Sequence, residues 1–111
     1  MKLSFSATAS RHIEDIHAHI SRDNPGAAMK VVARIEEAAK FIAGNPDVGR
    51  RTITRAMRAF PVAPYPYVIY FRKLRDEVRI VRVLHSARKR PELRVVTQFE
   101  IWPLIGFQDA Q

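Results

Sequence analysis

Two short stretches of the chain, Tyr65-Pro-Tyr-Val-Ile-Tyr-Phe-Arg72 and Ile80-Val-Arg-Val-Leu-His-Ser-Ala-Arg88, hold the side chains best suited to meeting an anion: Arg72, Arg82, His85 and Arg88. A guanidinium grips phosphate or carboxylate in a fork, an imidazole titrates near neutrality, and a tyrosine ring offers a face for base stacking. Both stretches read as strands. Pairing them sets these groups on or beside one sheet, next to Lys89 and Arg90. The same residues also have plainer uses. Tyr65, Tyr67 and Tyr70 fit packing against helices, and His85 fits a strand end hydrogen-bonded to backbone.

The charge distribution points the same way. Residues 1–47 hold six basic and six acidic side chains, whereas residues 48–94 hold thirteen basic and three acidic, so the net charge of +8 lies in the middle and late part of the chain. Between Asp47 and Asp76 stand seven cations (Arg50, Arg51, Arg55, Arg58, Arg72, Lys73, Arg75) and no acid. A surface so one-sided suits phosphate or an acidic protein, although a basic protein can also carry it as a solvated face.

Several chemistries drop out. Cysteine is absent, which removes thiol catalysis, disulfides and thiolate metal sites. His12, Glu14 and His17 superficially suggest a zinc motif. Five residues on a helix span about 140°, however, so the two histidines cannot chelate together as an i, i+4 pair does. No metal or cofactor is expected. Met1 to Ser6 contains no apolar stretch of signal-peptide length, and Pro61, Pro64 and Pro66 interrupt the longest later apolar run; the expectation is a soluble cytoplasmic protein with no membrane partner.

The elements that must position these groups are readable from spacing. At 111 residues the chain suits one domain, burying about two-thirds of its unfolded surface. Lys2 to Ser6 alternates as a short strand. Ala9, Ile13, Ile16 and Ile20 recur at helical spacing from Thr8 to Arg22, with Thr8 or Ser6 as cap. Asn24-Pro25 opens a second helix whose stripe Ala28, Val31, Val32, Ile35, Ala38, Ala39, Ile42 runs to Gly44-Asn45-Pro46. Arg58–Ala63, Tyr67–Lys73 and Glu77–Leu84 then read as three strands, the last nearly continuous in apolar character and so placed inside the sheet. The order β-α-α-β-β-β predicts an α+β two-layer domain, an antiparallel sheet packed on a helical hairpin. Residues 91–111 read as an extension rich in apolar side chains, where Pro103 and Gly106 argue against a long helix; packing on the same domain is the expected arrangement, with a surface for a partner as the other.

Four pieces in this order, Asn24-Pro25 with Ala27-Ala28, Pro46-x-x-Gly49-Arg50, Tyr65-Pro-Tyr-Val-Ile-Tyr70 and Val83-Leu-His-Ser-Ala-Arg88, resemble the RelE/ParE superfamily of type II toxin-antitoxin toxins, and more closely its ParE-like branch. The resemblance covers roughly residues 3–90, within a toxin domain expected at 1–90. It implies a cytoplasmic growth inhibitor of the plasmid-stabilisation kind, held inactive in a hetero-oligomer by an acidic cognate antitoxin. RelE-like members cut mRNA on the ribosome, and ParE-like members poison DNA gyrase. Metal-free RNA cleavage needs a base for the 2′-hydroxyl, cations for the phosphate and an acid for the leaving oxygen. In that reading Arg58, Arg82 and Arg88 bind phosphate and His85 carries the proton. No tyrosine or histidine follows Arg88 before Arg94, and the loop before the second strand carries arginines in place of lysines; both departures favour the gyrase-binding branch, with Arg50, Arg51, Arg55, Arg58, Arg88, Lys89 and Arg90 as target- or phosphate-binding residues. The ribosome-dependent nuclease is the alternative, and a non-toxic basic nucleic-acid-binding module is a further one.

Overall fold

The structure, a computed structural model, describes residues 1–88 and 90–96. Strand β1 (Lys2–Phe5) leads into helix α1 (Ala7–Ser21) and helix α2 (Pro25–Gly44). The chain then forms β2 (Arg50–Arg51), β3 (Met57–Pro61), β4 (Tyr67–Lys73), β5 (Glu77–His85) and a single 3-10 turn at Pro91–Leu93.

Capping fixes where the helices begin. Ser6 is the N-cap of α1, its hydroxyl accepting from the Ala9 N–H at 3.0 Å and donating to the Val81 carbonyl at 2.9 Å. One hydroxyl therefore both starts the helix and ties it to β5. Asn24 caps α2 through the Ala27 N–H at 3.0 Å, with Pro25 in the first turn, where its missing N–H costs nothing. The apolar stripe of α2 is buried at Ala28, Val31, Ile35, Ala38, Ala39 and Ile42, and it meets Ile69, Phe71, Val78, Ile80 and Val83 of the sheet in one core. Each fully buried Ile or Phe contributes about 1.5–3 kcal/mol relative to exposure.

The two-layer α+β arrangement is as expected, and two details differ from the sequence reading. The strand order is β1-β5-β4-β3-β2, and β1 runs parallel to β5, so the sheet is mixed; only the remaining pairs are antiparallel. The physical reason is the crossover: the helical hairpin carries the chain from β1 at one edge to β2 at the other, and the antiparallel strands β2 to β5 then step back until β5 lies beside β1 and parallel to it. The extra strand β2 falls in the arginine-rich loop, two residues long and held against Ala59 and Arg58.

The register of β4 and β5 shifts once. Phe71 pairs with Ile80 and Tyr70 with Arg82, which leaves Val81 as an extra residue. Without that bulge, alternation from buried Ile80 would turn Arg82 into the core. With it, Val83 points inward and Arg82 joins Tyr70 on the face away from the helices. Helix α1 pins the bulge from both sides, since Ser6 bonds the Val81 carbonyl and His12 Nδ1 accepts the Val83 N–H at 3.2 Å.

Beyond β5, Leu93 is buried against Met57 and Leu84 on that outer face. The Ile53 N–H donates to the Arg94 carbonyl at 2.9 Å and the Val96 N–H to the Arg51 carbonyl at 2.8 Å, so residues 91–96 cross to the β2–β3 hairpin. Residues 97–111 of the predicted extension lie outside the described residues.

Candidate functional site

The predicted cations divide among three places. On the outer face of the sheet, cross-strand register sets Arg72 opposite Arg79, and Tyr70 opposite Arg82; Ala59 beside Tyr70 pairs with Arg50. Arg79 is tied to Glu77 at 3.3 Å, while the side chains of Arg50, Arg72 and Arg82 make no hydrogen bond or ion pair among the described residues. Like charges placed opposite one another cost stability, and a face that keeps them is complementary to an anion. Burial pushes the Tyr70 phenol above its ordinary pKa, so near neutrality it stays protonated.

The second place is the hairpin joining β2 and β3. Thr52, a buried polar side chain, organises it: the hydroxyl donates to the Met57 carbonyl at 3.1 Å and accepts from the Thr54 N–H at 3.2 Å. A cavity of about 520 Å³ there is lined by Arg51, Arg55, Arg58, Lys73 and Asp47. Arg58 is committed to the fold, however. Its Nε donates to the Val48 carbonyl at 3.0 Å and its Nη2 to the carbonyls of Asp47 at 2.8 Å and Gly49 at 3.1 Å. Lys73 is likewise paired with Asp47 at 3.2 Å, which leaves Arg51 and Arg55 as the cations at this hairpin without partners among the described residues.

The third place is a cleft of about 330 Å³ between α1 and the end of β5, lined by His12, Asp15, His19, Tyr67, His85 and Arg88. His85 stands opposite Tyr67, edge-on to its ring with 5.5 Å between centroids, and its Nδ1 accepts the Ala87 N–H at 3.0 Å. It is thus a strand-end histidine bonded to backbone, on the helix side of the sheet. Arg88 sits at the rim shared with an outer-face cavity of about 380 Å³, whose lining includes Tyr70, Arg90 and Leu93. Arg90 lies 3.7 Å from Glu92, and Lys89 lies outside the described residues.

The four residues named for a nuclease are therefore not brought together. Arg82 faces out beside Tyr70, His85 faces the helices, and Arg58 is held by the loop at 47–49. A scissile phosphate cannot touch Arg82 and His85 on opposite faces of one strand.

The sequence reading did not single out the cleft of His12, Asp15 and His19. A signal for it was present: positions 12, 16 and 19 recur at helical spacing with Ile16 between the histidines, so one face of α1 is apolar and imidazole together. Among the described residues, no group of three or more histidines and carboxylates is placed to hold a metal ion. Burial, then Arg82, Arg88 and Arg90, hold His12 below its ordinary pKa of 6.5, against a smaller opposing pull from Asp15.

Residues 3–90 match the family described as ParE toxin of type II toxin-antitoxin system, parDE. The chain belongs to this family of toxins. It is 35% identical over 92 residues to Y4kP, a proposed toxin of Sinorhizobium fredii, covering 83% of this chain and 95% of that one. It is also 37% identical over 73 residues to Toxin RelE2 of Caulobacter vibrioides, covering 66% and 81% of the two chains. A chain of the chromosomal ParDE toxin-antitoxin system from P. aeruginosa superposes with a TM-score of 0.69 at 25% identity, over 77% of this ParE-family chain and 95% of that one. Among the described residues, no helix is long and apolar enough to cross a membrane.

Proposed function

We propose that this ParE-family toxin arrests growth by binding DNA gyrase, acts without catalysis of its own, and is neutralised in the cytoplasm by an acidic cognate antitoxin with which it forms a hetero-oligomer. The observation that carries the binding reading is that the outer-face cations stand on the face opposite His85, which keeps only Arg88 beside it among the cations lining its cleft. The outer face offers Arg50, Arg72 and Arg82 beside a phenol whose ionisation burial opposes, while His85 is turned to the other face. General acid-base cleavage needs both kinds of group at one phosphate, whereas recognition needs the cations alone. Arg50, Arg51, Arg55, Arg88 and Arg90, with Lys89, supply the charged contacts of that reading. Arg58 enters it as the residue that holds the hairpin in place.

The antitoxin partnership draws support from the ParDE toxin-antitoxin system, one chain of which this chain resembles in fold, and from the net charge of +8. Inducing the chain in bacteria, with and without the small gene beside it, tests both halves. Growth should stop with the toxin alone and resume with the neighbour present. Unimpeded growth at verified high levels of folded protein would overturn the proposal.

A further inference from the structure

The α1–β5 cleft contains an arrangement that a gyrase contact does not require. His12 Nδ1 accepts the Val83 N–H, and His85 Nδ1 accepts the Ala87 N–H. A neutral imidazole whose Nδ1 accepts must carry its proton on Nε2. The backbone therefore fixes both rings in one tautomer, and each retains an Nε2–H with no partner among the described residues. Arg88, on the same cleft, likewise makes no side-chain hydrogen bond or ion pair there. These three unspent donor groups, with His19 also in the lining, surround one cavity of about 330 Å³.

The lining also restricts what those donors can hold. Asp15 opposes the Arg88 charge, which disfavours a dianion; Arg82 and Arg90 lie close enough to keep the field at His12 positive, which disfavours a cation. Ile16, Val83 and the ring of Tyr67 add apolar lining beside His19, a surface suited to methylene groups. A planar carboxylate on a short aliphatic stem meets all of these conditions. It can accept from a guanidinium and two further N–H groups at once. A nucleic-acid strand, in contrast, needs a broad track of cations, and the sheet's outer face has that form.

We propose that the cleft between α1 and β5 is a carboxylate receptor, which takes a glutamate or aspartate side chain from an acidic peptide segment laid across His12, His85 and Arg88. This chemistry is independent of the molecule the toxin poisons, so the proposal can fail while the gyrase reading stands, and the reverse.

Imidazole and guanidinium nitrogen NMR on the full-length chain tests it. The probes are N-acetylglutamate methylamide, its glutamine analogue as the uncharged control, and dithymidine phosphate as the phosphodiester. Before any addition, the His12 and His85 signals should report the Nε2–H tautomer. Titration with the glutamate probe should move both Nε2 signals and Arg88 Nε along one saturable curve, and the glutamine analogue should bind about tenfold more weakly, as expected for loss of a charge-assisted hydrogen bond. Arg88→Gln should weaken the glutamate probe by a similar factor. Asp15→Asn, an exposed change on α1, should tighten it. Nδ1–H tautomers, equal responses to the glutamate and glutamine probes, or a saturable response to dithymidine phosphate alone would each overturn the proposal.

Discussion

Arg58 shows how a side chain that looks like a phosphate ligand becomes part of the scaffold. Its three bonds to the carbonyls of residues 47–49 close the α2–β2 loop over β3, and a lysine in its place could not reach them as a fork. Hydrogen bonds from a charged donor are worth roughly 1.5–3 kcal/mol each at most, and this group is partly exposed, so Arg58→Ala should cost about 2 kcal/mol in urea unfolding. Its toxicity should fall only as far as its folded population does. His12 carries a pH prediction. Folded His12 takes up a proton less readily than the unfolded chain, so the stability it contributes is complete above 6.5 and is lost as pH falls through that value toward the lower folded one. Thermal melts should decline across this window in the wild type and much less in His12→Gln, which can still accept the Val83 N–H. For target binding, Arg88→Ala should weaken toxicity more than His85→Ala, because a charged contact that becomes buried at the target interface is worth roughly 2–5 kcal/mol, whereas His85 Nδ1 is already engaged by the Ala87 N–H. A folded His85→Ala chain that is harmless beside a lethal Arg88→Ala chain would contradict the binding account. The residue types at these positions were legible in the sequence. That Arg82 and His85 lie on opposite faces follows from their spacing of three, but which face each took was not legible, because the bulge at Val81 inverts the alternation counted from buried Ile80.

At the scale of elements, the caps and stripes did most of the specifying. Ser6, Asn24-Pro25 and the α2 stripe each state a local preference that the packed structure keeps, which is why both helices could be read to within a residue or two. The bulge in β5 and the parallel seat of β1 depend on contacts across 75 residues, Ser6 to Val81 and Lys2 to Glu77, and no local pattern encodes them. The hairpin before β3 depends on backbone shape. Gly49 has a φ of +82°, and a Cβ there would lie 2.4 Å from the Ala59 carbonyl oxygen, a distance that no side chain can relieve. Gly49→Ala should therefore destabilise the chain by on the order of 2 kcal/mol and expose the β2 and β3 amides first to hydrogen exchange. Protection in that hairpin equal to the wild type would show that the close approach is not required.

For the molecule as a whole, the lopsided charge becomes an open cationic sheet face and a cationic hairpin cavity of different geometry, with Arg88 at the rim between the sheet face and the histidine cleft. Electrostatic attraction of this kind speeds encounter with acidic or nucleic-acid-bearing targets and weakens with salt, so association with gyrase should slow as ionic strength rises. The mechanism is tested most directly by adding the purified chain to two reconstituted systems, DNA gyrase with plasmid DNA and a coupled ribosomal translation reaction, and following both nucleic acids. The account predicts inhibited supercoiling with accumulation of gyrase-linked broken DNA, and intact mRNA in the translation reaction. Codon-phased cuts in ribosome-bound mRNA, with gyrase unaffected, would contradict it.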